Sequence, residues 1–318
     1  MTLLARSPRG ANDIGMLRKD AEYYRIESSI TSANRACEVA VAYQNGGRKR
    51  LTIDGVTVRA ADFFERFAAV AAAPDDINLP AGPPSGRREF IDIYLSQVSA
   101  QYITELIRYR KALAQKNALL KQDTKIHENP YDQLLIQYGS SIMLRRNNFL
   151  EIISATAAEH YRRISGGHEL VMKYKPAAGD PEKWEKASVE DAFEHKLRQT
   201  RSREEAMQVA LVGPHRDDVD LSIGGLPARN HASQGELRTA AIALKLAVFD
   251  YLKQSRRMTP VLLLDEVFAE LDAGRRKILI ELFGRFGQLF LTTASEVPKP
   301  LADGARLFTL EKGAVFQE

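Results

Sequence analysis

Residues 261–266 read Val-Leu-Leu-Leu-Asp-Glu, preceded by Pro260. Four consecutive apolar residues suit a strand buried on both faces, as in parallel sheets covered by helices. Two acids end the run. A buried parallel strand finishes at the carboxyl edge of its sheet, where α/β folds bind ligands. One carboxylate there can hold Mg2+, directly or through water. A second can orient or deprotonate a water for attack on a phosphate. A strand running into two exposed acids is also common without any such role. Downstream, 275–286 has helical character and 288–292 (Gln-Leu-Phe-Leu-Thr) is a second short apolar strand. Apolar strands separated by a helix indicate a parallel α/β sheet.

Two neighbouring stretches sharpen this reading. Phe268-Ala-Glu-Leu-Asp272 follows the acids, and Ala232-Ser-Gln-Gly-Glu236 opens a strong helix over 234–253. A Ser hydroxyl and Gly backbone N–H at a helix N-terminus form an anion site, because that end presents unpaired donors and positive dipole charge. Ser233 and Glu236 equally satisfy an ordinary capping box. The three stretches resemble, in order, the signature, Walker B and D-loop motifs of ABC-type ATPases.

The rest of the 318 residues supplies context. Hydrophobic residues make up 44% and charged residues 27%, which excludes a disordered, collagen-like or disulfide-scaffold chain. The longest apolar run, 67–73, is far short of the roughly 20 residues a membrane helix needs, and residues 1–20 lack a signal-peptide core. One cysteine, Cys37, allows no intramolecular disulfide and reads as a buried or half-buried strand residue. The net charge of +4 permits nucleic-acid binding without demanding it.

Residues 23–58 alternate with a period of two around Asn45-Gly-Gly47 and Asp54-Gly55, predicting a small antiparallel sheet. Residues 78–86 read as a loop. Residues 95–122 and 131–163 each have helical period, with seams at Tyr102, Leu106, Tyr109, Leu113 and Leu120 and at Leu135, Tyr138, Ile142, Phe149, Ile152 and Thr156; Lys116 and Arg145 break the seams. Two narrow seams predict an antiparallel helical hairpin, either a projecting arm or part of a compact bundle. A strand at 170–174, a charged and solvated helix at 189–208, and β-like residues 209–227 follow. The expected division is a first lobe over 1–84, a helical arm over 85–205 and a second lobe over 206–318.

Longer stretches carry a more specific resemblance. Leu211-Val-Gly-Pro-His-Arg-Asp-Asp218, Ala232 to Thr239, Leu262 to Val267, Pro84-Ser-Gly-Arg-Arg88 with Ile91-Asp92, and Tyr109 to Lys121 together resemble the RecF family of bacterial DNA replication and repair proteins. The resemblance implies an α/β ABC-type ATPase head, a mixed sheet flanked by helices, with an inserted helical-hairpin arm. It implies ATP and Mg2+ as cofactors and an ATP-dependent homodimer in the cytoplasm. It also implies binding to single-stranded and gapped double-stranded DNA, working with RecR and RecO to load RecA in recombinational repair and the SOS response. By position, Asp265 is the magnesium ligand and Glu266 the catalytic carboxylate. Ser233, Gln234 and Gly235 contact nucleotide held by the opposite subunit, and Asp272 sits in the D-loop across the dimer interface. Arg87 and Arg88 match the family's paired arginines, leaving open a DNA-phosphate role or a structural ion pair. His215 to Asp218 match a family motif, with His215 open to a reading as a hydrogen-bonded loop residue.

The chain departs from that family in three places. It contains no G-x-x-x-x-G-K-[ST] phosphate loop; Gly10 to Gly15 has the glycine spacing, but Met16-Leu17 follow. The expectation is that the strand–loop–helix unit bearing the loop precedes residue 1, and that the chain as given hydrolyses no ATP at a useful rate. The alternative is a non-enzymatic DNA- or partner-binding relative, separable by reading the frame upstream of the start codon. Glu236 stands where the family usually has Gln, and Thr292 to Ser295 contain no His switch. The basic bias of residues 87–125, from Arg87 and Arg88 to Lys121 and Lys125, gives modest support for DNA binding.

Overall fold

The structure is a computed structural model describing residues 2–7, 10–32, 35–122, 129–269, 271–284 and 286–317. The turn expected around 123–130, including Asp123 and Lys125, lies largely outside the described residues, as does Glu270 of the D-loop stretch.

Strands β1 (Tyr23–Ser32), β2 (Arg35–Gln44), β3 (Arg50–Ile53) and β4 (Val56–Val58) form the expected antiparallel sheet in sequential order. Asp54 and Gly55 both take positive φ, 50° and 78°, the two-residue turn that matches strand twist. Val39, Val41, Leu51 and Ile53 pack one face onto Phe63 and Phe67, at and after α1 (Ala60–Arg66). Cys37 is half-buried on β2.

A second sheet carries the ligand edge. β5 (Ala69–Ala72) is followed by α2 (Asn78–Ala81), α3 (Pro84–Val98), α4 (Ala100–Leu120) and α5 (Asp132–Ser165). Next come β6 (Leu170–Lys175), α6 (Lys186–Met207), β7 (Asp218–Ile223), β8 (Leu226–Pro227), α7 (Ala228–His231) and α8 (Gln234–Arg256). Then follow β9 (Val261–Asp265), α9 (Ala273–Phe283), β10 (Leu289–Thr292), α10 (Lys299–Ala302) and the hairpin β11 (Phe308–Glu311) and β12 (Ala314–Gln317). β9 lies between β10 and β5, parallel to both, as its apolar sequence requires. The side chain of Gln97 caps the far edge of β5: its Oε1 accepts from Ala69 N at 2.9 Å and its Nε2 donates to Ala69 O at 3.0 Å. Among the described residues β10 has one strand neighbour, and its Phe290 is exposed.

Helix α8 is buried on most of its circumference from Thr239 to Leu252, as expected of a helix enclosed between elements. One apolar core continues from β5, β9 and α8 through α5 into α4 and α6. Lys116–Asp132 at one end and Tyr102–Arg146 at the other set α4 and α5 antiparallel.

Several local expectations change. The loop expected over 78–86 is helical at Asn78–Ala81 and again from Pro84, which stands at the first position of α3, where its missing N–H costs nothing. Ser99 then breaks what reads as one helix, its Oγ accepting from Tyr102 N at 3.1 Å to cap α4. On α5 the core face is rotated, burying Ile153, Ala157 and Tyr161 and exposing Ile152; Arg146, not Arg145, enters the interior. Lys116 is also buried, paired to Asp132 at 2.8 Å and Glu204 at 2.6 Å. Helix α6 keeps a charged face in solvent and buries Val189, Phe193 and Leu197 on the other, and Gly139 on α5 leaves room for Phe193, whose ring would sit 2.4 Å from an added Cβ. No helix among the described residues is long and apolar enough to cross a membrane.

Candidate functional site

Asp265 is the last residue of β9, in register with Thr292 of β10. The Thr292 hydroxyl donates to Asp265 Oδ1 at 2.6 Å, fixing one carboxylate oxygen at the sheet's carboxyl edge. Glu266 follows with φ of 53°, a left-handed conformation that costs an L-residue about 1–2 kcal/mol. Val267, Phe268 and Leu271 are buried beyond it, so core packing holds the strained turn. Such strain persists where surrounding structure over-determines it, often at functional sites.

Both acids line a cavity of about 20 Å3 that also receives Asp76 and Arg238. That volume holds one water rather than a nucleotide. Asp76 is fixed from two sides: its Oδ1 pairs with Lys245 Nζ at 2.8 Å and its Oδ2 accepts from Ala73 N at 2.7 Å. Among the described residues no cluster of three or more His, Cys, Asp or Glu could cage a metal. Mg2+ bound with nucleotide needs only one or two carboxylates, the remaining ligands being phosphate and water. Asp265, oriented by Thr292, fits that donor set.

The signature stretch caps α8. Ser233 N donates to Glu236 Oε2 at 2.8 Å, Ser233 Oγ donates to the same oxygen at 2.7 Å, and Glu236 N donates back to Ser233 Oγ at 3.3 Å. The backbone N–H of Ser233, then its hydroxyl, hold the Glu236 carboxyl below its ordinary range. Ser233 and Gln234 are exposed. Asp272 caps α9, its Oδ1 accepting from Arg275 N at 2.9 Å. Arg275 joins the two helix starts: its Nη1 donates to Thr239 Oγ1 at 3.3 Å. A Cβ on residue 235 would lie 2.9 Å from that Nη1, close enough that the guanidinium of Arg275 would have to shift. Thus Ser233, Gly235 and Asp272 belong to one surface, while none of them lines the cavity at Asp265 and Glu266. Sequence reasoning missed Arg275 and Asp76; the position of Arg275 three residues after a capping Asp was the available signal.

The remaining candidates form a buried hub. Arg87 grips Asp218 bidentately at 2.7 and 3.1 Å and also donates to Gly82 O at 2.8 Å, so it is a structural ion pair turned inward. Arg88 Nη1 donates to Asp217 O at 2.7 Å. The Asp217 carboxylate accepts from Tyr174 Oη and from Ala177 N at 2.8 Å. Arg146 Nη1 donates to Pro214 O at 2.6 Å, and its Nη2 pairs with Asp92 at 2.9 Å. His215 is a hydrogen-bonded loop residue: Nδ1 accepts from Tyr109 Oη at 2.6 Å if Nε2–H donates to Ala210 O at 3.1 Å. Burial, then the neighbouring Arg216 and Arg88, push its pKa down to about 4. The motif at 215–218 therefore locks α3, α4, α5 and β7 together.

Comparison with known proteins agrees with this geometry. No family model matches the chain. A protein of Lysinibacillus sphaericus described as DNA replication and repair protein RecF is 31% identical over 321 residues, covering 98% of this chain and 86% of that one. A protein of Symbiobacterium thermophilum with the same description is 36% identical over 293 residues, covering 90% and 78%. A solved structure described as the recombination mediator protein RecF-ATP in the RecFOR pathway superposes with a TM-score of 0.88 and 29% identity, covering 99% of this chain and 86% of that one. A second, described as RecF-ATPrS, gives 0.86 and 28% over 99% and 85%. With an acid-tipped parallel sheet, a capped signature helix and relatives of this identity over nearly its full length, the chain belongs to the RecF family of DNA replication and repair proteins.

Proposed function

We propose that this protein acts in recombinational DNA repair as an ATP-responsive dimer that binds single-stranded and gapped DNA, aiding RecA loading with RecR and RecO and so serving the SOS response. One observation carries this reading. Asp265 and Glu266 line a cavity at the sheet edge, and Ser233, Gly235 and Asp272 do not line it but are joined to one another through Arg275. A nucleotide held between two copies would meet both sets, one from each copy.

In that assembly Asp265 holds Mg2+, which when bound neutralises phosphate charge. Glu266 is placed to orient a water toward a terminal phosphate, and its neighbouring cavity has room for one, while residues 1–318, which hold no phosphate loop, are expected to hydrolyse no ATP at a useful rate. Ser233 and the Gly235 N–H face the nucleotide of the partner subunit, where the start of α8 favours negative charge. Asp272 sits in the interface. The similarity to a solved RecF-ATP structure supports the nucleotide.

Analytical ultracentrifugation with and without ATP and Mg2+, followed by anisotropy with a gapped duplex, tests this. The expected result is a dimer and tighter DNA binding with ATP, both lost in Asp265→Asn. A mass and a DNA affinity indifferent to ATP would refute it.

A further inference from the structure

A cleft of about 610 Å3 opens between α3 and α4, and neither Asp265 nor Glu266 lines it. Ser85, Arg88 and Asp92 present one face of α3 to it, at helical spacing. Arg110 of α4 stands on the opposite wall, and Arg146 and His215 also line it. Its charges are unbalanced. Arg6, Arg88, Arg110 and Arg146 line it, against the carboxylates Glu89 and Asp92. Glu89 is taken by Arg6 at 2.7 Å, and Asp92 is shared between Arg110 and Arg146, each at 2.9 Å.

Arg88 is the residue left over. Among the described residues it makes no ion pair, and its hydrogen bond to the Asp217 carbonyl uses only Nη1. Burial, then the Arg146 charge beside it, lower its pKa, against the opposing pull of Asp217 and Asp218. A cation held in that position gains from an anion, and guanidinium forks match the geometry of phosphate oxygens. Ser85 adds an N-terminal position of a 15-residue helix to the same wall.

We propose that this cleft is a phosphate pocket, formed by Arg88 and Arg110 with Ser85, that receives a phosphate group of the DNA strand. The proposal rests on the DNA-binding reading above. It names where that DNA is gripped and leaves Arg87 as internal scaffolding.

The test uses the full chain, a labelled gapped duplex bearing either a 5′-phosphate or a 5′-hydroxyl at the gap, and a salt series read by anisotropy. Arg88→Gln and the surface variant Arg110→Gln are each expected to weaken binding several-fold. Each should also flatten the plot of log affinity against log salt by about 0.9 per lost phosphate contact. A loss seen only with the 5′-phosphate identifies a strand end, and an equal loss on both duplexes identifies a backbone phosphodiester; both support the pocket. In parallel, inorganic phosphate is expected to raise the wild-type Tm above a chloride control, and not that of Arg88→Gln. If wild type binds no gapped DNA, the DNA reading fails, while a phosphate shift lost in Arg88→Gln still upholds the pocket. A phosphate shift with DNA binding untouched by either variant overturns the assignment to DNA. Folded variants that keep the affinity, the salt slope and the phosphate shift overturn the pocket itself.

Discussion

Arg146 and Asp217 meet 3.4 Å apart with side chains only 2% and 1% exposed, one from the middle of α5 and the other from the loop before β7. Removing one member of a buried pair leaves an uncompensated charge and typically costs about 3–5 kcal/mol. Arg146 also neutralises Asp92. Arg146→Met is therefore expected to lower stability by about that amount in urea denaturation, with part recovered when Asp217→Asn is added. A single variant within about 1 kcal/mol of wild type would contradict the hub's role.

His215 gives the fold a pH dependence of known sign. Its folded pKa, about 4, lies below the ordinary 6.5, so the unfolded chain takes up the proton first. The associated stability is complete above pH 6.5 and is lost as pH falls toward about 4, on the order of 3 kcal/mol in full. Denaturation midpoints at pH 7 and pH 5 should differ more for wild type than for His215→Gln. Parallel profiles for the two proteins would show that the imidazole is not responsible.

Glu236 occupies the hydroxyl proton of Ser233 and places a carboxylate at the start of α8. Gln at that position keeps the capping box and removes the negative charge. Glu236→Gln should leave stability within about 0.5 kcal/mol and tighten ATP-dependent dimerisation. Weaker dimerisation, measured by ultracentrifugation across ATP concentrations, would count against a phosphate facing Ser233.

The Thr292 hydroxyl is an orienting partner of Asp265. Losing a hydrogen bond that aims a metal ligand typically weakens metal affinity by about 10–100-fold. Thr292→Val should raise the Mg2+ concentration needed for the ATP response by a factor in that range, and Asp265→Asn should abolish the response. Identical Mg2+ titrations for Thr292→Val and wild type would exclude the orienting role.

Backbone strain at Glu266 yields a separate test. Gly adopts positive φ without steric cost, although it loses more entropy on folding. Glu266→Gly should therefore fold within about 1 kcal/mol of wild type. Glu266→Val, β-branched at φ 53°, should be clearly less stable. Equal midpoints for the two would mean that the turn relaxes.

What the sequence announced and what it concealed follow from different physics. The strands at 261–265 and 289–292 were legible because short apolar runs separated by a helix suit a parallel sheet covered on both faces. β5 was not: Ala-Val-Ala-Ala has weak strand propensity and becomes a strand by pairing with β9. Lys116 interrupts an apolar seam and Arg146 follows the seam break at Arg145, so both look like solvent positions, yet their carboxylate partners Glu204 and Asp217 lie far along the chain. The break at Ser99 was visible as a capping residue but hidden by the helical period on both sides. Of the site, Asp265, Glu266 and the Ser233 box were readable locally. Arg275 and Asp76 needed the fold, since each acts across an element boundary.

The amide of Gln97 gives the parallel sheet a direction of growth. By occupying both main-chain groups of Ala69 it closes the β5 side to strand addition. Among the described residues β10, carrying exposed Phe290, pairs on one side only. A strand paired there in parallel would finish beside Thr292 and lengthen the acid-bearing rim, so a single glutamine amide makes the two edges of this sheet unequal.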